Sequence, residues 1–363
     1  MKVRFPTNAQ VSMFLAQLGR PMSLLHYALL VLAYRLKLQR VPVLPVTLDV
    51  EPNNICNFEC PHCQVTHWEK PPKQLSLEGF REIVKQFPHL IRVKLQGMGE
   101  PLLNKKLSDM LHEGEERGIS MRFTTNGSVY TDEMAKSLSA LENTFVSVSV
   151  DGSTAEVFEK IRVKGKFDKV KANIKKLTNA RGSGSKLRIN LWTVVTKQNF
   201  HQLAELVRLC KALGTDGITF QLFLSNWGKG SMDQYVDPIR VERHAGDLEQ
   251  ALAEAMELAR GEGVAAEIFE SNLLSREHKC AWPWTSAYIC ANGDVVPCCV
   301  VADSETVKMG NVHERPFAEI WNSGAYQELR TRIRDHDLPS YCRNCYSDPP
   351  PEQTRNNVLK IIQ

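Results

Sequence analysis

The sequence predicts an α/β fold built on a parallel sheet, followed by a smaller cysteine-rich module. Two observations lead there. From residue 46 to about 225, short β-like runs alternate with amphipathic helical stretches, the pattern of successive βαβ units. Nine of the ten cysteines then fall into two groups, residues 56–63 and 280–345. The β-like runs are Thr47–Glu51, Ile91–Gln96, Ser120–Thr125, Phe145–Val150, Leu187–Val194 and Gly217–Phe223. Between them, Leu77–Phe87, Leu107–Arg117, Asp132–Leu141, Phe167–Asn179 and Gln202–Leu213 read as helices. Six such units make most of a (β/α) barrel but not its eight strands; an open, doubly wound sheet satisfies the same pattern.

The 363 residues are 43% hydrophobic and 24% charged, ordinary for a globular chain. The net charge of +4 gives no argument for nucleic acid, and none is expected as a partner. The first residues lack the charged-then-apolar pattern and cleavage site of a secretory signal. A cytoplasmic, reducing setting is therefore expected, where grouped thiols bind metal or do catalysis more often than they form disulfides. Cys210 stands alone in an apolar helical context and reads as a buried structural thiol.

Residues 1–45 differ from the rest. Lys2, Arg4, Arg20, Arg35, Lys37 and Arg40 precede the first acidic residue, Asp49, and Leu24, Leu25, Ala28, Leu29, Leu32 and Leu36 form an apolar helical stripe. The run is shorter than the roughly 20 apolar residues of a membrane span. It suits either an interfacial helix on anionic lipid, giving peripheral membrane contact, or a helix that packs on the main domain; the packing helix is the favoured reading. The expected organisation is this helical segment (1–45), the barrel (46–236), a helical linker (237–275) with a loop at Ser225–Asp237 before it, a cysteine module (276–347) and a Pro-initiated tail (348–363).

The first cysteines lie in Glu51-Pro-Asn-Asn-Ile-Cys56-Asn-Phe-Glu-Cys60-Pro-His-Cys63, directly after the first strand. In βα barrels such loops carry the active site. Three thiolates can hold three corners of a [4Fe–4S] cluster and leave one iron open. Zinc is the competing reading, with His62 or His67 as fourth ligand. The second strand ends Gln96-Gly97-Met98-Gly99-Glu100-Pro101, the third Thr124-Thr125-Asn126-Gly127, and the fourth Ser147-Val148-Ser149-Val150-Asp151-Gly152. On local grounds Gly97 and Gly99 read as a tight turn, and Arg162 as a solvated helix charge.

Taken together, these segments resemble the radical S-adenosylmethionine (SAM) superfamily over about residues 46–225. The resemblance implies that Cys56, Cys60 and Cys63 hold a SAM-binding [4Fe–4S] cluster. It also implies that Gly97, Gly99 and Glu100 meet the SAM amino group, although Met98 stands where the family often has glycine. Asn126 would line the SAM pocket, Ser149 and Asp151 would meet the ribose, and Arg162 would pair with the SAM carboxylate. The fold implied is a partial (β/α)6 TIM-like barrel.

In the second group, Asn292-Gly293-Asp294 signals a hairpin, and Cys342-Arg-Asn-Cys345 is a two-residue-gap knuckle. Cys280, Cys298, Cys342 and Cys345 make a complete four-thiol set for iron–sulfur or zinc. The region resembles the auxiliary-cluster modules called SPASM in full form and twitch in short form. Ile320–Asn322 and Tyr326–Arg330 match the module's helix, and no cysteine follows Cys345. A small α+β module holding one auxiliary [4Fe–4S] cluster is implied. Cys290 and Cys299 remain as alternative ligands, hydrogen donors to a substrate radical, or buried structural thiols.

The resemblance implies reductive SAM cleavage to a 5′-deoxyadenosyl radical and hydrogen abstraction, fed by an electron donor such as flavodoxin or ferredoxin. No general base is singled out by spacing. Residues 1–45 are short for a peptide-recognition domain, so the expected substrate is a small molecule: a sugar, an aminocyclitol or a lipid-linked glycan, oxidised or epimerised. The alternatives are a peptide maturase and a non-catalytic metal-stapled scaffold.

Overall fold

The computed structural model describes residues 20–182, 184–241, 245–269, 280–343 and 345. Helix α1 (Pro21–Arg35) leads into β1 (Thr47–Val50). Then come α2 (Leu77–Lys85), β2 (Arg92–Leu95), α3 (Leu107–Glu116), β3 (Ser120–Thr125), α4 (Asp132–Ser139), β4 (Thr144–Ser149), α5 (Ala155–Ile161) and α6 (Phe167–Arg181). They are followed by β5 (Arg188–Val194), α7 (Leu203–Leu213), β6 (Gly217–Gln221), α8 (Asp233–Val236), α9 (Ala245–Glu262) and β7 (Ala265–Phe269). The C-terminal part contains α10 (Trp282–Thr285), β8 (Ser286–Ile289), β9 (Asp294–Val296), β10 (Gly310–Asn311), α11 (Phe317–Trp321), α12 (Gly324–Arg334) and α13 (Ser340–Arg343).

The strands form one sheet, ordered β10-β9-β8-β1-β2-β3-β4-β5-β6-β7. β1 to β7 are parallel neighbours in chain order. Local signals start several helices where the apolar periodicity begins: the hydroxyls of Ser76 and Thr131 accept from Gly79 N and Met134 N, which satisfies donors the helix itself cannot. Alternate strand residues, among them Leu48, Val50, Val93, Leu95, Phe123, Val146, Val148, Ile189, Leu191, Ile218 and Phe220, are buried in one core with Phe80, Ile83, Ile174 and Leu206 of the helices. That arrangement gives a curved parallel sheet covered by helices on its outer face.

Two expectations are corrected. Residues 237–275 are not only a helical linker, because α9 leads into a seventh strand, β7, that pairs with β6. Ala265-Ala-Glu-Ile-Phe offers a weak apolar alternation, so this strand is set by its neighbour. The stretch Ser225–Asp237 is not a plain loop: it coils through Gly230–Met232 and α8. The cysteine module continues the same sheet. β8 adds in parallel beside β1, and β9 and β10 continue as antiparallel strands.

The chain ends of the barrel are tied together from below. Arg330 of α12 is fully buried; its Nε donates to Pro283 O at 2.8 Å and its Nη1 to Gln39 O at 3.0 Å. Trp284 and Trp321 donate to Leu38 O and Val43 O. Among the described residues, no helix is long and apolar enough to cross a membrane.

Candidate iron–sulfur and SAM site

The cysteine loop leaves the C-terminal end of β1 and packs against the loop after β2. Asn53, fully buried, donates from Nδ2 to Glu100 O at 2.8 Å and accepts from Ile55 N at 2.9 Å. Glu100 N returns a bond to Ile55 O at 2.7 Å. A Cβ on Gly99 would lie 2.1 Å from Asn53 Oδ1, and one on Gly97 2.3 Å from Glu51 Cγ. Neither glycine has a positive φ. They are therefore required by close approach of two loops, not by a tight turn.

Glu100 is buried, and its carboxylate is wholly engaged by the chain. Oε1 accepts from Thr125 Oγ1 (2.5 Å) and Leu102 N (3.1 Å), and Oε2 from Asn126 N (2.6 Å). Burial pushes its pKa up to about 7 against those donors. Asn126 then reaches the cysteine loop, donating to Asn57 Oδ1 at 3.0 Å and to Cys56 Sγ at 3.9 Å. The ends of β2 and β3 thus position the first thiol.

Arg162 follows α5, and its Nε donates to Asp151 Oδ2 at 2.6 Å, with Asp151 fully buried. Asp151 Oδ1 accepts from Val194 N at 2.8 Å. The local reading of Arg162 as a solvated helix charge is corrected: burial pairs it with Asp151. Arg162 also faces Cys60, where its charge opposes the burial that raises that thiol's pKa. The Ser149 hydroxyl, at the end of β4, has no hydrogen-bond partner among the described residues.

Burial is the main cause that lifts the Cys56 thiol to about 11 and the Cys63 thiol to about 12, with Cys60 adding to both. These buried and half-buried thiols face one another with Arg162 as the nearby cation, so a metal centre that stabilises thiolates fits them. His62 is held neutral, near 4, by burial beside Arg162. His67 bonds Pro61 O and stacks on Tyr235 at 3.8 Å. Among the described residues, no three His, Cys, Asp or Glu side chains are drawn into a single-ion site. A cubane, which brings its own sulfide corners, does not need so close a set.

The second group divides in two. Burial raises Cys298 strongly, and the nearby Cys280, Cys345 and Cys342 raise it further; Cys342 is lifted to about 12 by burial and Cys280. The four expected thiols therefore converge. Cys290 lies apart from them, packed with Met98, Tyr288, Val296 and Ala302 and facing Glu51 and Asp294. Cys299 faces Asp49 and Lys94 as well as Cys298. Cys210 is fully buried in the core, with its thiol against Thr215 Oγ1.

Several residues were not singled out in the sequence. Asp49, Lys94 and Arg122 occupy one level of β1, β2 and β3 on the face turned from the helices. Burial lowers Lys94, raises Asp49 and, with Arg92 nearby, takes Arg122 down to about 10. Arg122 Nε is buried without a hydrogen-bond partner, and Lys94 lies 5.6 Å from the Trp192 ring. The signal was present: a charge alternating with apolar residues inside a short parallel strand means that one face is polar. Above this layer, Asp303 is 1% exposed and pairs with both Lys70 and Lys229. It ties the loops after β1 and β6 to the cysteine module. A cavity of about 630 Å³ opens at the other end of the barrel, lined by Arg122, Phe145, Arg181 and Arg188, away from the cysteines.

Glu51 links the two cysteine regions, accepting from Met98 N and Ala291 N, each at 3.1 Å. Burial raises its pKa from 4.5 to about 7 against those bonds; Lys70 lowers it and Asp303 raises it. Tyr288 and Cys290 also face it. This carboxyl ionises more easily in the unfolded chain. Its contribution to stability is therefore full below 4.5 and is lost as pH rises through 7, about 3 kcal/mol in all. Glu51→Gln is expected to remove that share of the fall, as read from urea midpoints at about pH 5 and about pH 8.

Fold and site define a barrel protein with three thiols on the loop after the C-terminal end of β1 and four more gathered where β9 ends, beside the N-terminal ends of β8 and β1. Residues 50–209 match the radical SAM superfamily, and residues 280–346 match the SPASM iron-sulfur cluster-binding domain. The chain is 29% identical to a tungsten-containing aldehyde ferredoxin oxidoreductase cofactor-modifying protein of Pyrococcus furiosus, over 82% of this chain and 86% of that one. It is 24% identical to the mycofactocin maturase MftC of Mycolicibacterium smegmatis, over 83% and 75%. Its fold is similar to that of Streptococcus suis SuiB bound to precursor peptide SuiA, with a TM-score of 0.66 and 18% identity over 82% of this chain and 69% of that one. The chain belongs to the radical SAM superfamily and ends in a SPASM-type iron–sulfur domain. Its cofactors are accordingly a [4Fe–4S] cluster, SAM and auxiliary iron–sulfur.

Proposed function

We propose that this enzyme is a maturase that takes hydrogen from a peptide or a peptide-derived cofactor precursor. The observation that carries this reading is the similarity to a mycofactocin maturase and a cofactor-modifying protein over most of the chain. It favours this substrate class over the sugar, aminocyclitol or lipid-linked glycan expected from the sequence. The lumen supports it: Arg92, Lys94 and Arg122 outnumber Asp49 and Glu267 there, which suits an acidic group on the substrate.

In this reading Cys56, Cys60 and Cys63 hold the first cluster, and Cys280, Cys298, Cys342 and Cys345 hold the auxiliary one. When bound, the first cluster and SAM supply hydrogen abstraction from unactivated carbon. The chain's own work is positioning. Gly97 and Gly99 allow the loop after β2 to meet the cysteine loop. Glu100 acts through Asn126, which steadies Cys56. Ser149 offers its hydroxyl to the SAM ribose, and Asp151 aims Arg162, whose remaining guanidinium nitrogens are left for a carboxylate. Cys299, beside Lys94 in the lumen, is better placed than Cys290 to meet a substrate radical.

The test is 5′-deoxyadenosine formation by the reconstituted enzyme with pooled short acidic peptides, set beside pooled sugars and aminocyclitols. Stimulation by peptides alone is expected. Stimulation by the sugars alone would return the reading to a small-molecule oxidase or epimerase.

A further inference from the structure

α1 leaves much of its apolar stripe, Leu25, Ala28, Leu32 and Leu36, exposed, with Leu24 and Leu29 half-buried. Its body-facing side buries Ser23, Leu30 and Ala33. Arg20 anchors its start, donating from Nη1 to Leu90 O and Gly118 O, each at 2.8 Å, and the His26 ring lies 4.1 Å from that of His89. On the outer side, Met22, Leu25, Leu32 and Leu36 are 51%, 48%, 49% and 61% exposed. They are four of the five exposed large apolar side chains among the described residues, Phe269 being the fifth. The helix packs on the main domain, as the favoured sequence reading expects, but through Leu30 and Ala33 more than through the stripe.

We propose that this face seats α1 in the surface of an anionic membrane. Charge argues for that partner. No acidic residue precedes Asp49, whereas six lysines and arginines do, and Arg35 and Arg40 are exposed beside the stripe. A helix of 15 residues is about 22 Å long, suited to lying in the interface with its apolar side chains among the acyl chains and its cations at the phosphates. A second copy of the chain fits less well. Four side chains cover far less than the roughly 800 Å² per partner of a stable interface, and facing copies would bring like charges together. Leu90, Gly118 and His89 all precede strands, so α1 lies at the N-terminal end of the sheet. Docking there holds the enzyme at the bilayer while the loop of Cys56, Cys60 and Cys63, after the C-terminal end of β1, faces away from it.

The experiment is co-sedimentation of the full-length protein with vesicles of phosphatidylcholine, with and without phosphatidylglycerol. Binding to the anionic vesicles, weakened by salt, is expected. Leu25→Asp/Leu32→Asp should lower it at least about tenfold, and Arg35→Glu/Arg40→Glu should lower it too. Both pairs are exposed, so circular dichroism and iron content should be unchanged. No binding, or equal binding to neutral vesicles, overturns the proposal. So does a change from dimer to monomer in the leucine variant without vesicle binding, which would assign the face to a second copy. Vesicle binding that appears only after removal of residues 1–19 would assign the face to the chain's own N-terminus, and overturns it as well.

Discussion

Protein in which Cys56, Cys60 and Cys63 are replaced together by alanine is expected to keep about half of the roughly eight iron atoms that two four-iron clusters would hold, and to make no 5′-deoxyadenosine. The loop should survive the change, because its main anchors are side chains other than the thiols. Asn53 locks it to the loop after β2, and Asn57 is held by Asn126 and Ser128. The four-thiol set forms around a different part of the sheet, next to β9, and should load independently. Iron and sulfide content, with chromatographic detection of 5′-deoxyadenosine after anaerobic reduction in the presence of SAM, checks both halves. SAM cleavage persisting in the triple variant would remove the β1 loop from the chemistry. Zinc in place of iron in the unaltered protein would leave only the metal-stapled scaffold.

The second large effect concerns Asp151. Its Oδ2 meets Arg162 Nε at 2.6 Å and its Oδ1 accepts from Val194 N at 2.8 Å. Asp151→Ala leaves a guanidinium that is only 14% exposed without its counter-charge, and a strand N–H without its acceptor. Removing one partner of a buried pair costs about 3–5 kcal/mol, so the urea midpoint should fall clearly. Asp151→Asn keeps the shape and the Val194 bond and should lose less. A fall of under about 1 kcal/mol in the alanine variant would mean that water already carries the arginine, as at a surface pair.

Much of this was legible in the sequence, because parallel sheets write themselves strongly. Their strands are short apolar runs, and six of the seven barrel strands were placed within two residues of their ends. The seventh, Ala265–Phe269, carries too little apolar pattern and forms because β6 offers it an edge. The cysteine spacings were equally local: two thiols three or four residues apart on one loop must share a neighbourhood. The sequence by itself therefore determined the fold class, the two cysteine groups and the superfamily.

Tertiary structure decided which groups meet. Nothing local says that Glu51 spans from Met98 to Ala291, or that Asp303 gathers Lys70 and Lys229 from two other loops. Likewise, only packing reveals that Arg162 spends its Nε on Asp151. The N-terminal helix makes the same point in reverse. Its leucines form a stripe, yet the body buries Ser23, Leu30 and Ala33 and leaves Leu25, Leu32 and Leu36 exposed. A helix's apolar moment says which side avoids water, but the partner's shape and hydrogen bonds choose which side is docked, and what covers the other is left to the surroundings.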